Sequence, residues 1–463
     1  MARGKKKETL TPEERLQATL VPESEQPYPV PGNWCWVKVG TISKVKGGKR
    51  LPKGRTFLEE KSDYPYIRVT DFDNESICIE NVKYIDSDTH MMIKNYTISS
   101  ADIYISIAGT IGKVGIIPEE LEGANLTENA AKITDINGAY QLYLMLFLKS
   151  EVAQNQMKDS TISTTQPKLA LFRIEDILLP LPPFSEQQRI VNRIESLFAK
   201  LDEAKQKAQD ALGGFETRKA AILHKAFTGE LTAKWRKEHG VGMETWSSCK
   251  LIDILVEKPR NGYSPKPVDY VTACKSMTLS ATTTGVFKPE FFKYIDEEIP
   301  ENSHLWLTPG DILIQRANSL EKVGMSAIYT GAEHEFIYPD LMMKLTVKEP
   351  NNKHYIDYYL KTDEILNYFR SNATGTAGNM PKINQKVVSE TPLILPETQE
   401  QAEIVRLLDD LLAREQQAKE AAEGVLEQID LIKKAILARA FRGELGTNDP
   451  SEESAVELLK QVL

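Results

Sequence analysis

Several short stretches of this chain have the composition of catalytic motifs, and each fails on spacing or on one residue. Gly109-Thr-Ile-Gly112-Lys113 has the flavour of a phosphate loop. That motif needs four residues between its glycines and a Ser or Thr after the Lys, and here there are two, then Val114. Leu181-Pro-Pro-Phe184 has the shape of the tetrapeptide that holds an adenine for methylation. Leu181 stands where an acid or amide would accept from the target amine, and no glycine-rich loop for a methyl donor accompanies it. Pro339-Asp340 opens like a nuclease motif, but Met342 stands where an acid two residues before Lys344 is required. The six His are isolated, with no H-E-x-x-H. Cys35, Cys78, Cys249 and Cys274 are far apart, without a C-x-x-C or a nearby His pair, so neither a disulfide framework nor a zinc site is expected. No constellation for nucleophilic, metal or acid–base catalysis emerges.

Basic and polar residues in Gly/Pro-rich loops form a second group. Ser43-Lys-Val-Lys-Gly-Gly-Lys-Arg-Leu-Pro-Lys-Gly-Arg55 holds six cations (Lys44, Lys46, Lys49, Arg50, Lys53, Arg55) and no acid, and its glycines would let backbone approach phosphates closely. Lys258-Pro-Arg-Asn-Gly-Tyr-Ser-Pro-Lys266 is similarly basic, with Arg260, Asn261, Tyr263 and Lys266. Arg316 and Asn318, and Thr164, Thr165, Gln166 and Lys168, add side chains able to pair bidentately, Arg with guanine and Asn or Gln with adenine. Arg68 and Lys382 complete the candidate DNA-contact set. Each alone also reads as an ordinary solvated loop residue; together they suit base readout.

These loops must be positioned, and the chain does so twice. At 463 residues and 52.1 kDa it is too long for one core. Leu179–Ile194 (LPLPPFSEQQRIVNRI) is echoed 214 residues later by Leu393–Leu408 (LILPETQEQAEIVRLL), and Arg218–Leu231 by Ile432–Leu445 at the same offset. Upstream the echo fades: Asp102-Ile103 and Lys113-Val-Gly115 recur 209 residues on, and Trp34 recurs 212 on as Trp246. Each half has a divergent front and a closely similar back.

The backs read as long helices, starting near Ser185, with Gln188 as capping box, and near Thr398, with Gln401. Ile190, Ile194, Leu197, Leu201, Ala204, Ala208, Ala211, Phe215 and Ile222 form a heptad seam, matched by Ile404, Leu408, Leu411, Ala418, Ala422, Val425, Ile429, Ile432 and Ile436, with Glu415 a polar interruption. Each helix spans about 43 residues, roughly 64 Å, and the expected partner of each is the other. Gly213-Gly214 and Gly424 invite a local kink.

The fronts read as mixed α/β: strands at 66–70, 76–80, 102–108 and 113–117, then 311–315, 325–329 and 341–347, with helices at 139–157 and 354–371. The expected division is a tail at 1–30, domains at 31–183 and 241–396, and helical regions at 184–240 and 397–463. The fold class is therefore α/β (α+β), two mixed domains in tandem separated by two long helices paired as an antiparallel coiled coil.

Net charge is −9, but residues 1–70 carry 14 Lys/Arg against 8 Asp/Glu, while 397–463 carry 8 against 15. One end could meet phosphate and the other could not. Mean hydropathy is −0.36 and no apolar run approaches a membrane span. The basic start, Met1-Ala-Arg-Gly-Lys-Lys-Lys, is followed by a charged stretch rather than an apolar one, so a cytoplasmic location is expected.

PPFSEQQRIV leading into a long helix that ends KAFTGEL, a preceding domain with GTIGKVG, and their repetition as EQAEIV, RAFRGEL and QRANSLEKVG closely resemble the specificity (S) subunit of type I restriction-modification systems. The resemblance runs from about Pro31 to the end. Gln166-Pro167 departs from it, since the family often has an Asn before an apolar residue there. The resemblance implies two target-recognition domains, each reading one half of a split, asymmetric double-stranded DNA site. It further implies that catalysis lies in partners: two modification (M) subunits methylating adenine with S-adenosylmethionine, and restriction (R) subunits using ATP. No cofactor is expected on this chain. The matching helix ends, Phe227, Glu230 and Leu231 with Phe441, Glu444 and Leu445, are the candidate sites for the two M subunits. A coiled-coil scaffold without DNA contact, and an enzyme acting alone, are the rival readings. The first would leave DNA affinity unchanged on substitution of Arg50 and Arg316; the second needs the methyl donor or a divalent metal bound by the chain itself.

Overall fold

The computed structural model describes residues 11–159, 167–375 and 380–462. The chain divides into two compact units. One combines Met1–Lys207 with Gly424–Leu463, and the other is Ala208–Glu423, so both long helices are shared between units instead of forming regions of their own.

Each unit is built on the same plan. In the first, strand Cys35–Lys38 pairs antiparallel with Leu178–Leu181; in the second, Ser247–Lys250 pairs with Pro392–Leu395. A four-stranded sheet follows in each. Ala130–Thr134 lies between Lys44–Gly47 and Ile103–Ser106, with Val114–Gly115 outside; Met342–Leu345 lies between Arg260–Asn261 and Ile312–Gln315, with Ser326–Ile328 outside. The inner strands Ile103–Ser106 and Ile312–Gln315 are buried along their whole length, which is why they read as continuous β-branched runs. A second, smaller four-stranded sheet in each unit contains one parallel pair: Tyr66 opposite Asn125, and Ser276 opposite Ile337.

The expected helices at 139–157 and 354–371 each break in two. Gln141–Lys149 is separated from Glu151–Asp159 at Ser150, and Lys353–Leu360 from Asp363–Ser371 at Thr362, whose hydroxyl accepts from the Ile365 N–H as an N-cap.

Buried ion pairs repeat as well. Lys132 Nζ lies 2.9 Å from Asp102, and Lys344 Nζ lies 3.7 Å from Asp311; each Asp also accepts a backbone N–H, from Ser99 and Thr308 respectively. Lys344 is therefore part of the repeated framework.

The long helices are Phe184–Gly213, continued after a one-residue break at Gly214 by Phe215–Phe227, and the uninterrupted Thr398–Ala440. The first does break at its glycines; the second passes through Gly424 unbroken. Their starts differ from the expected capping boxes. Ser185 Oγ bonds Glu452 at 2.9 Å, and the helix already begins at Phe184. What recurs is Gln187 and Gln401. Each donates back to a proline carbonyl (Pro182, 3.0 Å; Pro396, 2.9 Å) and accepts a backbone N–H (Tyr140, 2.7 Å; Asn352, 2.9 Å), fastening the helix start to the domain in front of it.

Within each unit the two helical segments run antiparallel. Lys433 meets Asp202 at 2.6 Å and stacks 5.0 Å from the Phe198 ring in the first unit; Arg218 meets Glu415 at 2.8 Å and Lys419 lies 4.9 Å from the Phe215 ring in the second. These contacts also correct the register expected for the distal helix. Ala418 is exposed, and Val425 and Ile432 are 40% and 42% exposed, while Lys419 and Lys433 face the partner. The Phe215 and Phe198 rings pack against the Lys419 and Lys433 side chains where Ala418 and Ile432 had been expected. Glu415, the apparent interruption, is held by Arg218.

Candidate nucleic-acid interface

In the first unit the basic segment begins on an edge strand, Lys44–Gly47, with Val45 buried and Lys44 and Lys46 on the open side. It then turns against the protein's own backbone. Gly48 N–H donates to Ala130 O at 3.0 Å and Lys49 N–H to Leu126 O at 2.8 Å, and a Cβ at Gly48 would collide with the Thr127 and Leu126 carbonyls. The glycine thus serves close packing on the turn 126–130, which corrects its reading as a phosphate approach. The Tyr66 hydroxyl donates to Lys49 O at 2.7 Å, and Lys49 Nζ lies 5.5 Å from the Tyr96 ring.

The acid-free segment gains acids from elsewhere in the fold. Asp135 faces Lys44 at 3.1 Å and Lys46 at 3.7 Å, and their hydrogen bond and charge hold its carboxyl below the usual range. Arg55 lies 3.5 Å from Asp86 and 3.9 Å from Asp88. Arg68 is bound to the buried Asp71 at 2.6 Å and to Asn81 O, which makes it a structural cation. Arg50 Nε donates to Glu128 Oε1 at 2.6 Å while 78% of its side chain stays in solvent. Lys53 is exposed.

The other strand of the interface reaches the same turn. Ile107 and Ala108 N–H both donate to Asn129 O, Leu169 N–H donates to Ile107 O, and Ala108 bridges to Lys168. Lys168 therefore joins Lys49 and Arg50 around residues 126–130. Thr164, Thr165 and Gln166 lie outside the described residues.

The second unit repeats this turn bond for bond at 338–342. Gly262 N–H donates to Met342 O, Tyr263 N–H to Tyr338 O, and a Cβ at Gly262 would strike the Tyr338 and Pro339 carbonyls. Arg316 and Ala317 N–H donate to Leu341 O, Ile383 N–H to Arg316 O, and Ala317 bridges to Lys382. Asn261, Tyr263, Arg316 and Lys382, scattered over more than a hundred positions of sequence, are thereby gathered. Arg316 Nη1 donates to Asp340 O at 3.2 Å, but its Nε is buried without a partner, and so is Asn261 Oδ1. Both atoms are shielded from solvent, so each is an uncompensated polar group within the cluster. Asn318 is oriented by Gln315, whose Oε1 accepts from its Nδ2 at 2.6 Å. Arg260 is paired with Glu257 at 2.7 Å, the Tyr263 hydroxyl donates to Glu297 at 3.0 Å, and Lys266 is exposed.

Glu128 was not singled out from sequence, and Asp340 was noted only as the opening of a failed nuclease motif. The available signal was their recurrence at an offset of 212, each four residues before the framework lysine, Lys132 or Lys344.

The helix ends require a correction. Phe441 is fully buried, its ring 5.4 Å and 5.2 Å from Tyr143 and Phe147; Phe227 is buried 5.3 Å and 5.0 Å from Tyr355 and Tyr359. They are core anchors rather than docking surface, because the domain's own aromatic helix covers them. Glu230 and Glu444 are exposed, and Leu231 and Leu445 partly so.

Among the described residues no helix is long and apolar enough to cross a membrane, and no group of three His, Cys, Asp or Glu gathers into a metal site.

Comparison with known proteins gives one family. The model described as type I restriction modification DNA specificity domain matches twice, at residues 31–211 and 243–424. The Type I restriction enzyme EcoKI specificity subunit of Escherichia coli strain K12 is 24% identical over 450 residues, covering 94% of this chain and 95% of the relative. The MjaVIII specificity subunit of Methanocaldococcus jannaschii is 25% identical over 435 residues, covering 90% and 94%. Two solved structures share the fold at 20% identity. An HsdS subunit from Thermoanaerobacter tengcongensis has a TM-score of 0.63 over 91% of this chain and all of the other. A chain solved in work on complex assembly and conformational transition of the type I R-M system has 0.67 over 90% and 100%.

Proposed function

This chain belongs to the type I restriction modification DNA specificity family, and on that premise we propose how its two specificity domains divide the work. Each domain reads one half of a bipartite, asymmetric double-stranded DNA site, and the paired helices set the unread gap between the halves. The observation that carries this reading is the repeated turn. The same backbone bonds, at 126–130 and 338–342, keep a lysine at one matched place, Lys168 and Lys382, and present different side chains elsewhere: Lys49 and Arg50 in one unit, Tyr263, Ser264 and Arg316 in the other. A fixed frame with exchanged chemistry is what two unlike half-sites demand.

Within the interface Lys44, Lys46, Lys49, Lys53 and Arg55 supply phosphate contacts, with Asp135, Asp86 and Asp88 giving up their cations as phosphates arrive. Arg316 and Asn318 read base edges. Adenine methylation with S-adenosylmethionine and ATP-driven cleavage belong to modification and restriction partner subunits, which assemble with this chain in the cytoplasm. Two modification subunits dock near the paired helix ends, through Glu230 and Leu231 on one and Glu444 and Leu445 on the other.

Mapping methylated adenines by single-molecule sequencing, in a host with and without this gene, tests the reading. One bipartite motif should vanish with the gene. An unchanged pattern, or the loss of a continuous palindrome, would overturn it.

A further inference from the structure

We propose that Arg50 reads a base and that Glu128 is the positioning residue that aims it. This deepens the reading above, which would otherwise leave Arg50 among the phosphate contacts. Four observations point the same way.

The guanidinium is held through one edge. Arg50 Nε donates to Glu128 Oε1 at 2.6 Å, and the Thr127 hydroxyl donates to the other carboxylate oxygen at 3.0 Å, so Glu128 is itself fixed. With Nε committed, Nη1 and Nη2 form an outward fork, matching the O6 and N7 acceptors on the major-groove edge of guanine.

The backbone beneath is rigid. Gly48 and Lys49 N–H groups are bound to the turn, and Lys49 O is held by the Tyr66 hydroxyl, so the arginine stem starts from a fixed point. A phosphate accepts cations from many directions and needs no such aim, whereas a base edge accepts only an oriented fork.

Charge argues against a phosphate. Glu128 is one quarter exposed and ionised: burial works to raise its pKa, but bonds from Arg50, its own N–H and Thr127 outweigh that and leave it lowered. A phosphate placed on Arg50 would lie beside this carboxylate, and Glu128, held by Thr127 and one quarter exposed, has less room to turn away than the more exposed Asp135 beside Lys44 and Lys46; a neutral guanine edge is repelled less.

The same register in the second unit keeps the geometry and changes the chemistry. Ser264 takes the place of Arg50 and Asp340 that of Glu128, with the Ser264 hydroxyl on Asp340 Oδ1 and the Asp340 N–H donating back to Ser264 Oγ at 3.1 Å. Acid and loop residue vary as a pair over a constant backbone.

The experiment compares Arg50→Lys, Arg50→Ala, Glu128→Ala and Glu128→Gln in the full chain with its partner subunits. Methylome sequencing is one readout; the salt dependence of binding to cognate and unrelated duplex is the other. Arg50→Lys keeps the charge but not the fork, so it should keep the salt slope while losing roughly 5- to 150-fold of preference at one base pair of one half-site. Glu128→Ala should relax that same base pair with Arg50 intact, and Glu128→Gln, which still accepts from Nε, should retain most of the preference. The other half-site stays as in the wild type in every variant. If Arg50→Lys preserves the motif and Arg50→Ala lowers the salt slope by about 0.9 on any sequence, Arg50 is a phosphate contact and the inference falls. If neither Arg50 variant changes motif or slope, the pair is a surface salt bridge and it falls equally. Because Arg50 is exposed, its variants fold and decide the matter even where a Glu128 variant does not. A wild-type chain yielding no bipartite motif would instead sink the reading on which this rests.

Discussion

Glu186 and Glu400 hold equivalent places at the start of the two long helices, both buried, and their partners differ. Glu400 accepts from Trp246 Nε1 at 2.9 Å, Thr232 Oγ1 at 2.7 Å and Arg236 Nη1 at 2.6 Å; Glu186 accepts from Trp34 Nε1 at 2.8 Å, Asn448 Nδ2 at 2.9 Å and Thr447 Oγ1 at 3.3 Å. One site is an ion pair and the other is held by neutral donors. Glu400→Gln leaves the Arg236 charge buried and uncompensated, a loss of about 3–5 kcal/mol. Glu186→Gln keeps an acceptor for its neutral donors and costs about 1–2 kcal/mol. Thermal unfolding followed by tryptophan fluorescence checks the order, and equal losses would mean that Arg236 finds water or another partner. At the interface, Lys44→Ala with Lys46→Ala should weaken binding to all sequences and lower the salt slope by roughly 0.9 per lost phosphate contact. Arg316→Ala should relax one motif position by about 1–3 kcal/mol. Equal effects on cognate and unrelated DNA would move Arg316 to the phosphate class. These side chains were legible as a group in the sequence, because cations and amides cluster in loops. The acids that face them were not, since Asp135, Glu128 and Asp86 arrive by strand pairing and turns, and local composition carries no trace of that.

The long helices show the opposite balance, because a helix is a local object. Their extents, their pairing and the break at Gly213-Gly214 followed from heptad spacing and glycine position. One row of the distal seam did not: Ala422, Ile429 and Ile436 are covered as expected, whereas Lys419 and Lys433, packed on Phe215 and Phe198, take the places expected of Ala418 and Ile432. Among the apolar residues expected in the seam, Ile429 is 2% exposed and Ile432 is 42% exposed. Ile429→Ala should therefore cost about 2–5 kcal/mol and Ile432→Ala within about 0.5 kcal/mol. Denaturant melts of the two variants separate the registers; a larger loss at Ile432 would restore the strict heptad. The buried helix ends give a second check. Phe227→Ala and Phe441→Ala should each cost about 3–5 kcal/mol by emptying an aromatic pocket. Normal stability with loss of one partner subunit would return these residues to a docking role.

At the scale of the whole molecule, duplication explains why some of the fold was readable and some was not. The helix blocks, the E-Q dipeptides at 186–187 and 400–401 and the framework Asp–Lys pairs have one job in both units and kept their residues. The candidate contact loops kept their backbone bonds, with Gly48 and Gly262 and Lys168 and Lys382 at matched places, and changed most of their other side chains. That separation makes the helices a candidate ruler. Seven residues added to both helices at facing points, in register, would preserve the alternation of three- and four-residue steps and lengthen each by about 10.5 Å, near three base pairs at roughly 3.4 Å each. Three base pairs also rotate one half-site about the duplex axis, so the expected outcome is the same two half-sites with a longer gap or a loss of modification. Seven residues added to one helix alone, between Asp202 and Arg218, would pull the Lys433–Asp202 and Glu415–Arg218 pairs out of step with each other and destabilise the chain. Methylome sequencing of the double insert reads the gap directly. Modification of the original motif at its original gap and normal efficiency would show that something other than helix length spaces the two readers.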